Sequence, residues 1–204
     1  MKILLKITSV LLLCFSALSL AAQEAQPDKA TAIFAGGCFW CMEPPFDKLE
    51  GVSATVSGYS GGTVKNPDYK TISRGTSGHY EVIRVSYDPS KVSYEQLLDV
   101  YWVNIDPTDA SGQFCDKGPQ YRSGIFYADE QQKAAAELSL RKLRESGKLR
   151  AEIVTEVLPA KTFYRAERYH QNYYLRNPIR YKYYRTGCGR DRRLFELWGE
   201  AAAK

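Results

Sequence analysis

Short apolar segments alternate along the chain with polar segments rich in glycine, proline and asparagine. Continuous or alternating apolar residues indicate strands, and apolar residues at helical spacing indicate helices. The pattern predicts six elements in the order β-α-β-β-α-β, at residues 31–35, 38–49, 52–59, 80–87, 93–103 and 121–128. This is the order of a split βαβ unit, so we expect an α+β fold, a ferredoxin-like two-layer α/β sandwich with a mixed sheet.

The second half of the chain adds elements to this unit. A capping pattern at 129–132 opens a helix that Gly147 closes. A further strand is predicted at 152–158 and a further helix at 166–176. From Asn177 onward, a proline and several glycines indicate an irregular C-terminal tail.

The N-terminal segment has the features of an export signal. Lys2 and Lys6 precede an apolar run at 10–20, and a small-x-small pattern at 19–21 provides a cleavage site. A retained membrane anchor is the alternative interpretation. We expect the mature protein to be exported, to the periplasm first and as a secreted protein second. The expected divisions are a signal peptide at 1–21, a short polar lead-in at 22–30 and a single domain at 31–204.

Charge and cysteine content narrow the possible functions. The formal net charge falls from +5 to +3 when the two lysines of the signal are removed, which is too weak to indicate nucleic-acid binding. Four cysteines remain after cleavage: Cys38, Cys41, Cys115 and Cys188. Only the first two form a close C-x-x-C pair, so redox chemistry is favoured, followed by structural disulfides and then by a metal site.

Cys38 is the best catalytic candidate because it lies where the first strand passes into the first helix. A helix N-terminus presents unpaired N–H groups and the positive end of the helix dipole, so we expect the pKa of this thiol to be lowered. The preceding pair Gly36-Gly37 allows a tight turn and leaves the sulfur open to a substrate.

Glu81 is the second candidate because of its place in the strand at 80–87. Alternation puts its side chain on the same face as Ile83, Val85 and Tyr87. The carboxyl is either at a frayed strand end or buried. If it is buried, its pKa should rise, and it would be a neutral acid able to donate a proton.

Several separate motifs resemble those of one known family, the A-type peptide methionine sulfoxide reductases, which act on the S epimer of methionine sulfoxide. The resemblance runs from about residue 32 to 199. Its blocks are Gly-Cys-Phe-Trp-Cys at 37–41, Ser-Gly-Tyr at 57–59 with Gly-Gly at 61–62, Gly-His-Tyr-Glu-Val at 78–82, Gly-Pro-Gln-Tyr-Arg-Ser at 118–123, and Ala-Glu with His-Gln between 166 and 171.

The resemblance implies a nucleophile, an acid and an apolar cup. Cys38 would attack the sulfoxide sulfur, and Glu81 would hydrogen-bond to the sulfoxide oxygen and protonate it. Phe39 and Trp40 would hold the S-methyl group of the substrate. A sulfoxide has an electrophilic sulfur and a partly negative oxygen, so a thiolate and a proton donor are needed in one small pocket.

Three further residues receive roles from the same resemblance. Tyr69 and Tyr121 match two tyrosines whose hydroxyls also face the sulfoxide oxygen, and Asp116 matches a supporting carboxylate. The resemblance implies no cofactor, only an external thioredoxin-like or dithiol reductant. The protein is expected to act as a monomer on methionine sulfoxide, free or in proteins, and to repair oxidised exported proteins.

The identity of the resolving cysteine is less well determined. Attack should leave a sulfenic acid on Cys38, and the resemblance favours Cys188 as the thiol that converts it to an intramolecular disulfide. Cys41 is the rival, since it is three residues away on the same helix face. Some branches carry a cysteine at the position of Ser73 or two cysteines in the tail, so a three-cysteine relay through those positions is excluded here. Cys115 is expected to be a small buried residue.

Two functions from other classes remain open. A thiol-disulfide oxidoreductase would exchange disulfides through Cys38 and Cys41, although such motifs usually place tryptophan before the first cysteine. A metal-binding or purely structural exported domain would use all four thiols as ligands or bridges.

Overall fold

The structure is a computed structural model that describes residues 29–203. The predicted signal at 1–21, and nearly all of the lead-in at 22–30, lie outside these residues. Within residues 29–203, no helix combines the length and the apolar character needed to cross a bilayer. The strands are β1 Ala30–Gly36, β2 Val52–Ser60, β3 Tyr80–Tyr87, β4 Gly112–Gln113, β5 Asp116–Lys117, β6 Ser123–Tyr127, β7 Glu156–Pro159 and β8 Tyr164–Arg165. The helices are α1 Phe39–Asp47, α2 Tyr69–Ser73, α3 Tyr94–Val103, α4 Glu130–Glu145, α5 Tyr173–Arg176, α6 Pro178–Gly187 and α7 Arg190–Trp198.

Six strands form one sheet in the order β7-β6-β1-β3-β2-β8. Its four central strands are the four strands of the predicted β-α-β-β-α-β unit, and all their pairings are antiparallel. β7 pairs with β6 in parallel, so the sheet is mixed. The α+β sandwich and the mixed sheet that the sequence predicts are therefore confirmed.

Two apolar clusters lie on opposite faces of the sheet. Phe34 is fully buried with Phe46 of α1 and Tyr101 of α3, and its ring centroid lies 5.3 Å and 5.1 Å from theirs. The next residue, Ala35, points to the other face and belongs to a smaller cluster with Phe126. The helices therefore cover one face, and β1 contributes to both clusters.

The prediction of an irregular tail from Asn177 is wrong, because that segment forms α6 and α7. Pro178 is the first residue of α6, where a missing N–H breaks no helical hydrogen bond. Gly189 has φ +68° and separates the two helices. The proline and this glycine mark helix boundaries, not the irregular structure that the sequence pattern predicts.

The predicted helix at 166–176 is also wrong over most of its length. Only Tyr173–Arg176 is helical. Before it, the buried amide of Gln171 accepts a hydrogen bond from the N–H of Ser57 at 3.1 Å and donates one to its carbonyl at 2.9 Å. The Gln171 side chain thereby satisfies the backbone groups of β2 at the point where β8 ends. This long-range contact holds the segment in a non-helical conformation despite its helix propensity.

The aromatic stack around Phe34 should dominate stability. Phe34→Ala is expected to lower the free energy of unfolding by about 3–5 kcal/mol, because it removes a fully buried ring and leaves a cavity. Phe195→Ala is the matched control, since that ring is 61% exposed; its effect should be within about 0.5 kcal/mol. Urea unfolding of both variants measures the difference, and equal losses would contradict this account of the core.

Candidate active site

The turn that carries Cys38 depends on glycine. β1 ends at Gly36, Gly37 has φ +78°, and Cys38 is the N-cap of α1. A Cβ atom on Gly37 would lie 2.6 Å from Cβ of Gln113. The tight strand-to-helix turn predicted from the sequence is confirmed, and its second glycine is needed for both its φ and its lack of a side chain.

Cys38 and Cys41 form a buried, reduced thiol pair. Burial, the Cys41 thiol and the nearby Glu81 raise the pKa of Cys38 well above its ordinary value, which is opposite to the direction predicted from the helix N-terminus. The Cys38 thiol hydrogen-bonds to Cys41 and lowers the pKa of Cys41 to about 6, and the charge of Arg190 helps. At neutral pH the pair therefore carries one thiolate, mainly on Cys41.

Glu81 is buried beside this pair, as the alternation of β3 predicts. Glu81 is only 2% exposed, and its carboxyl accepts a hydrogen bond from the N–H of Phe39 at 3.1 Å. Burial raises its pKa to about 8, although the bond from Phe39 opposes the rise. Glu81 is therefore mainly protonated at neutral pH and can donate a proton.

Tyr69 and Tyr121 meet above Glu81. Tyr69 begins α2, and Tyr121 ends a short 3-10 helix at Pro119–Tyr121. Their hydroxyls are hydrogen-bonding partners, and burial together with Glu81 raises the pKa of both. Two neutral hydroxyl donors thus lie next to the buried acid, so the structure brings these three predicted residues together.

Aromatic rings form one wall of the site. The ring of Trp40 stacks on Tyr173 with centroids 3.7 Å apart, and its edge contact with Tyr184 is at 5.7 Å. The indole N–H of Trp40 donates to Nδ1 of His170 at 3.1 Å. Phe39 also packs against His170, with ring centroids 4.8 Å apart. Burial lowers the pKa of His170 to about 4, so the imidazole is a neutral acceptor.

Asp116 reaches Cys38 through Tyr184, which none of the sequence motifs includes. The hydroxyl of Tyr184 donates to Oδ2 of Asp116 at 2.5 Å. The same tyrosine is a hydrogen-bonding partner of Cys38 and favours its thiolate form. Burial raises the pKa of Asp116, although the Tyr184 bond opposes this.

A second cysteine pair lies next to Asp116, where Cys115 and Cys188 form a disulfide. Cys115 is exposed at the tip of the β4–β5 hairpin, so the prediction of a small buried residue is wrong. The preceding Phe114 has φ +55°, which turns the chain outward at this tip. Oδ2 of Asp116 is 4.0 Å from the Cys188 sulfur.

The family model described as peptide methionine sulfoxide reductase matches residues 30–202. This chain belongs to the peptide methionine sulfoxide reductase family. It is 53% identical to a reductase named MsrA from Halalkalibacterium halodurans and covers 96% of that protein with 83% of its own length. It is 49% identical to MsrA from Bacillus subtilis, over 97% of that protein and 84% of this chain.

A solved structure of methionine sulfoxide reductase A from Corynebacterium diphtheriae superposes with a TM-score of 0.67 at 34% identity. The match covers 76% of this chain and 77% of that one. Fold and family therefore agree, and methionine sulfoxide reduction is the activity of this enzyme.

A buried arginine, which no sequence motif indicates, lies beside the thiol pair of the reductase. Arg190 is 1% exposed, and its guanidinium donates to the carbonyls of Asn104 at 2.7 Å and Gly36 at 3.2 Å. It lies 4.3 Å over the ring of Phe114. Arginine is usually a surface residue, so only the packing identifies this one as a positive charge beside the thiol pair.

One set of possible metal ligands occurs among the described residues of the reductase. The ligand atoms of Cys115, Asp116 and Cys188 lie within 4.8 Å of one another. Both sulfurs are bonded in the disulfide, and only thiolates are good ligands. This set therefore fits redox chemistry better than metal binding.

Removing the charge of Arg190 should make the thiol pair harder to ionise. In Arg190→Gln, with the Cys115–Cys188 disulfide intact, the apparent pKa of the buried thiolate is expected to rise by about 1. Thiolate ultraviolet absorbance against pH measures it. Arg192→Gln is the control, because that arginine is exposed on the same helix. An equal response in the two variants would contradict the electrostatic role of Arg190.

Proposed function

We propose that this reductase converts the S epimer of methionine sulfoxide, free or in proteins, to methionine through a sulfenic acid on Cys38. The observation that carries the proposal is the buried, mainly protonated Glu81 held beside a thiol pair. A proton donor and a nucleophilic sulfur in one pocket are what sulfoxide reduction requires. Ordinary disulfide exchange does not need such an acid.

Three donors would polarise the sulfoxide oxygen. Glu81 supplies the transferable proton, while the hydroxyls of Tyr69 and Tyr121 supply two more hydrogen bonds beside it. Trp40 and Phe39 supply apolar surface for the S-methyl group, and His170 holds the Trp40 ring in place through the indole N–H. The sulfur of a bound sulfoxide would then face Cys38.

The thiol pair would supply the nucleophile. Moving one proton from Cys38 to Cys41 along their hydrogen bond places the negative charge on Cys38, where Tyr184 stabilises it. The Cys38 thiolate attacks the sulfoxide sulfur, and Glu81 protonates the oxygen. The oxygen ends on Cys38 as a sulfenic acid, methionine leaves, and the sulfur of the substrate is reduced by two electrons.

A second thiol then removes the oxygen as water. We assign this step to Cys188, which forms a disulfide with Cys38, and Cys41 is the competing resolver. Two electrons from a thioredoxin-like or other external dithiol return the enzyme to its thiol form, so no cofactor is needed. The expectation of a monomer stays a prediction.

The proposed setting is outside the cytosol. It rests on the lysines and the apolar run of the predicted signal at 1–21. The enzyme would repair oxidised exported proteins, in the periplasm first, and its reductant would have to deliver electrons there. Fractionation of cells that express the full chain tests this location, and an uncleaved protein in the cytosol would overturn it.

Replacing the acid should slow the chemical step far more than it weakens binding. Glu81→Gln keeps the hydrogen bond from Phe39 but has no transferable proton, so the single-turnover rate constant is expected to fall by about 10²–10⁴-fold. Rapid-quench measurement of methionine release gives the rate, and the substrate dependence gives the affinity.

The control for this variant is Glu43→Gln. Glu43 is another buried acid, but its carboxyl accepts from the Ser57 hydroxyl, whereas that of Glu81 accepts from the N–H of Phe39. The single-turnover rate of Glu43→Gln should stay near that of the native enzyme.

The native single-turnover rate is expected to fall as pH rises through about 8, because Glu81 then loses its proton. Glu81→Gln should not show this fall. A single-turnover rate constant near the native value in Glu81→Gln would contradict the assignment of Glu81 as the acid.

Stereochemistry provides an independent test of the substrate. Attack on sulfur, donation to oxygen and the apolar cup require three substituents of the sulfoxide in fixed directions, so only one epimer should fit. Assays with the separate S and R epimers of a blocked methionine sulfoxide should show release of methionine from S alone. Preference for R would refute the proposed substrate.

A further inference from the structure

We propose that Cys115 is a third redox residue. Its thiol recycles the active site by replacing Cys38 as the disulfide partner of Cys188. In this relay, a Cys38–Cys188 disulfide is replaced by the exposed Cys115–Cys188 disulfide, which an external dithiol then reduces. The inference rests on the proposed function, in which Cys188 resolves the sulfenic acid of Cys38.

The first half of the relay depends on how close Cys188 lies to the catalytic thiol. Tyr184 is a hydrogen-bonding partner of Cys38, and the N–H of Cys188 donates to the carbonyl of Tyr184 at 2.8 Å. Residues four apart in a helix lie on one face, about 6 Å along its axis. Cys188 is therefore about one helical turn from a side chain that contacts Cys38.

The second half depends on the hairpin tip. The Cα atoms of Cys115 and Cys188 are 5.0 Å apart, and the N–H of Cys115 lies 3.2 Å from the Cys188 sulfur. An N–H donor at this position favours negative charge on that sulfur when the pair is reduced. Cys188 thus has one partner thiol beside it, and it lies about one helical turn from Tyr184, the side chain that contacts the other.

The segment that carries Cys188 can reorient between the two partners. It lies between Gly187 and Gly189, at the break between α6 and α7. A Cβ atom on Gly187 would meet nothing within 4 Å, and Gly189 holds the turn with φ +68°. Open space and a glycine on each side permit a small rotation of this cysteine.

Exposure explains why a relay would be needed. Cys38 is only 6% exposed, so a protein reductant cannot reach its sulfur without displacing the C-terminal helices. Cys115 is exposed, and a cavity of about 240 Å³ next to the disulfide is lined in part by Phe114, Cys188 and Arg192. Electrons can therefore enter at the outer pair.

The exchange conserves atoms and electrons. The sulfenic acid of Cys38 and the thiol of Cys188 give a disulfide and water. The thiolate of Cys115 attacks the Cys188 sulfur, the new S–S bond forms, and the Cys38 thiolate leaves and takes up the proton that Cys115 lost. An external dithiol then reduces the outer disulfide and becomes a disulfide itself.

Mapping of disulfides after one turnover tests the relay. Fully reduced enzyme is mixed with substoichiometric methionine sulfoxide, free thiols are alkylated, and bridged peptides are identified. The native enzyme should end with Cys115–Cys188 and a free Cys38. Cys41→Ser, which removes the proton acceptor of the thiol pair, should form the same bridge but more slowly. Cys115→Ser should release the same methionine but stop at Cys38–Cys188, with turnover on a protein dithiol at least about tenfold slower.

Time resolution keeps the test independent of how well the variants fold. In the native enzyme, rapid quenching should detect Cys38–Cys188 before Cys115–Cys188. A native enzyme that ends with a Cys38–Cys41 bridge would overturn the relay, as would normal protein-dithiol turnover in Cys115→Ser. Absence of methionine release from the native enzyme would instead refute the proposed function, so the two failures are distinguishable.

Discussion

The hydrogen bond from the N–H of Phe39 to the carboxyl of Glu81 is the contact on which the site depends. The first N–H groups of a helix have no partner within the helix, and a buried carboxyl needs a donor. One contact meets both needs across 42 positions of sequence. Because β3 lies beside β1 in the sheet, the same contact holds the acid next to the turn that carries Cys38.

Burial around this contact decides which groups are charged. It raises the pKa of Cys38 and brings that of Glu81 to about 8, and it lowers that of His170 to about 4, so all three are mainly neutral at pH 7. The thiolate of the pair, mainly on Cys41, is stabilised by the positive charges of Arg190 and Arg185, and Asp116 opposes them. The buried thiolate thus has positive charge close to it, which limits the cost of burying it.

Local pattern was enough to predict the sandwich and the face on which Glu81 lies, since strand alternation records burial directly. It failed where a residue's role is set by distant partners. Four thiols allow three pairings, and nothing in their spacing selects Cys115 with Cys188. Arg190 and Tyr184 look like ordinary polar surface residues until α6 and α7 pack over the site. The tail was misjudged because proline and glycine occur at helix ends as well as in irregular chain.

The packing of the C-terminal helices against the first helix has a consequence for synthesis of the protein. Trp40 is 130 positions from His170, and Gly36 is 154 positions from Arg190. A ribosome therefore releases β1 and α1, which flank Cys38, long before it has synthesised His170 and Arg190, which pack against them. Until the last helices emerge, the nascent chain has an uncovered thiol pair without its counter-charge. The site becomes complete only after α7 has been synthesised, whichever part of the sheet folds first.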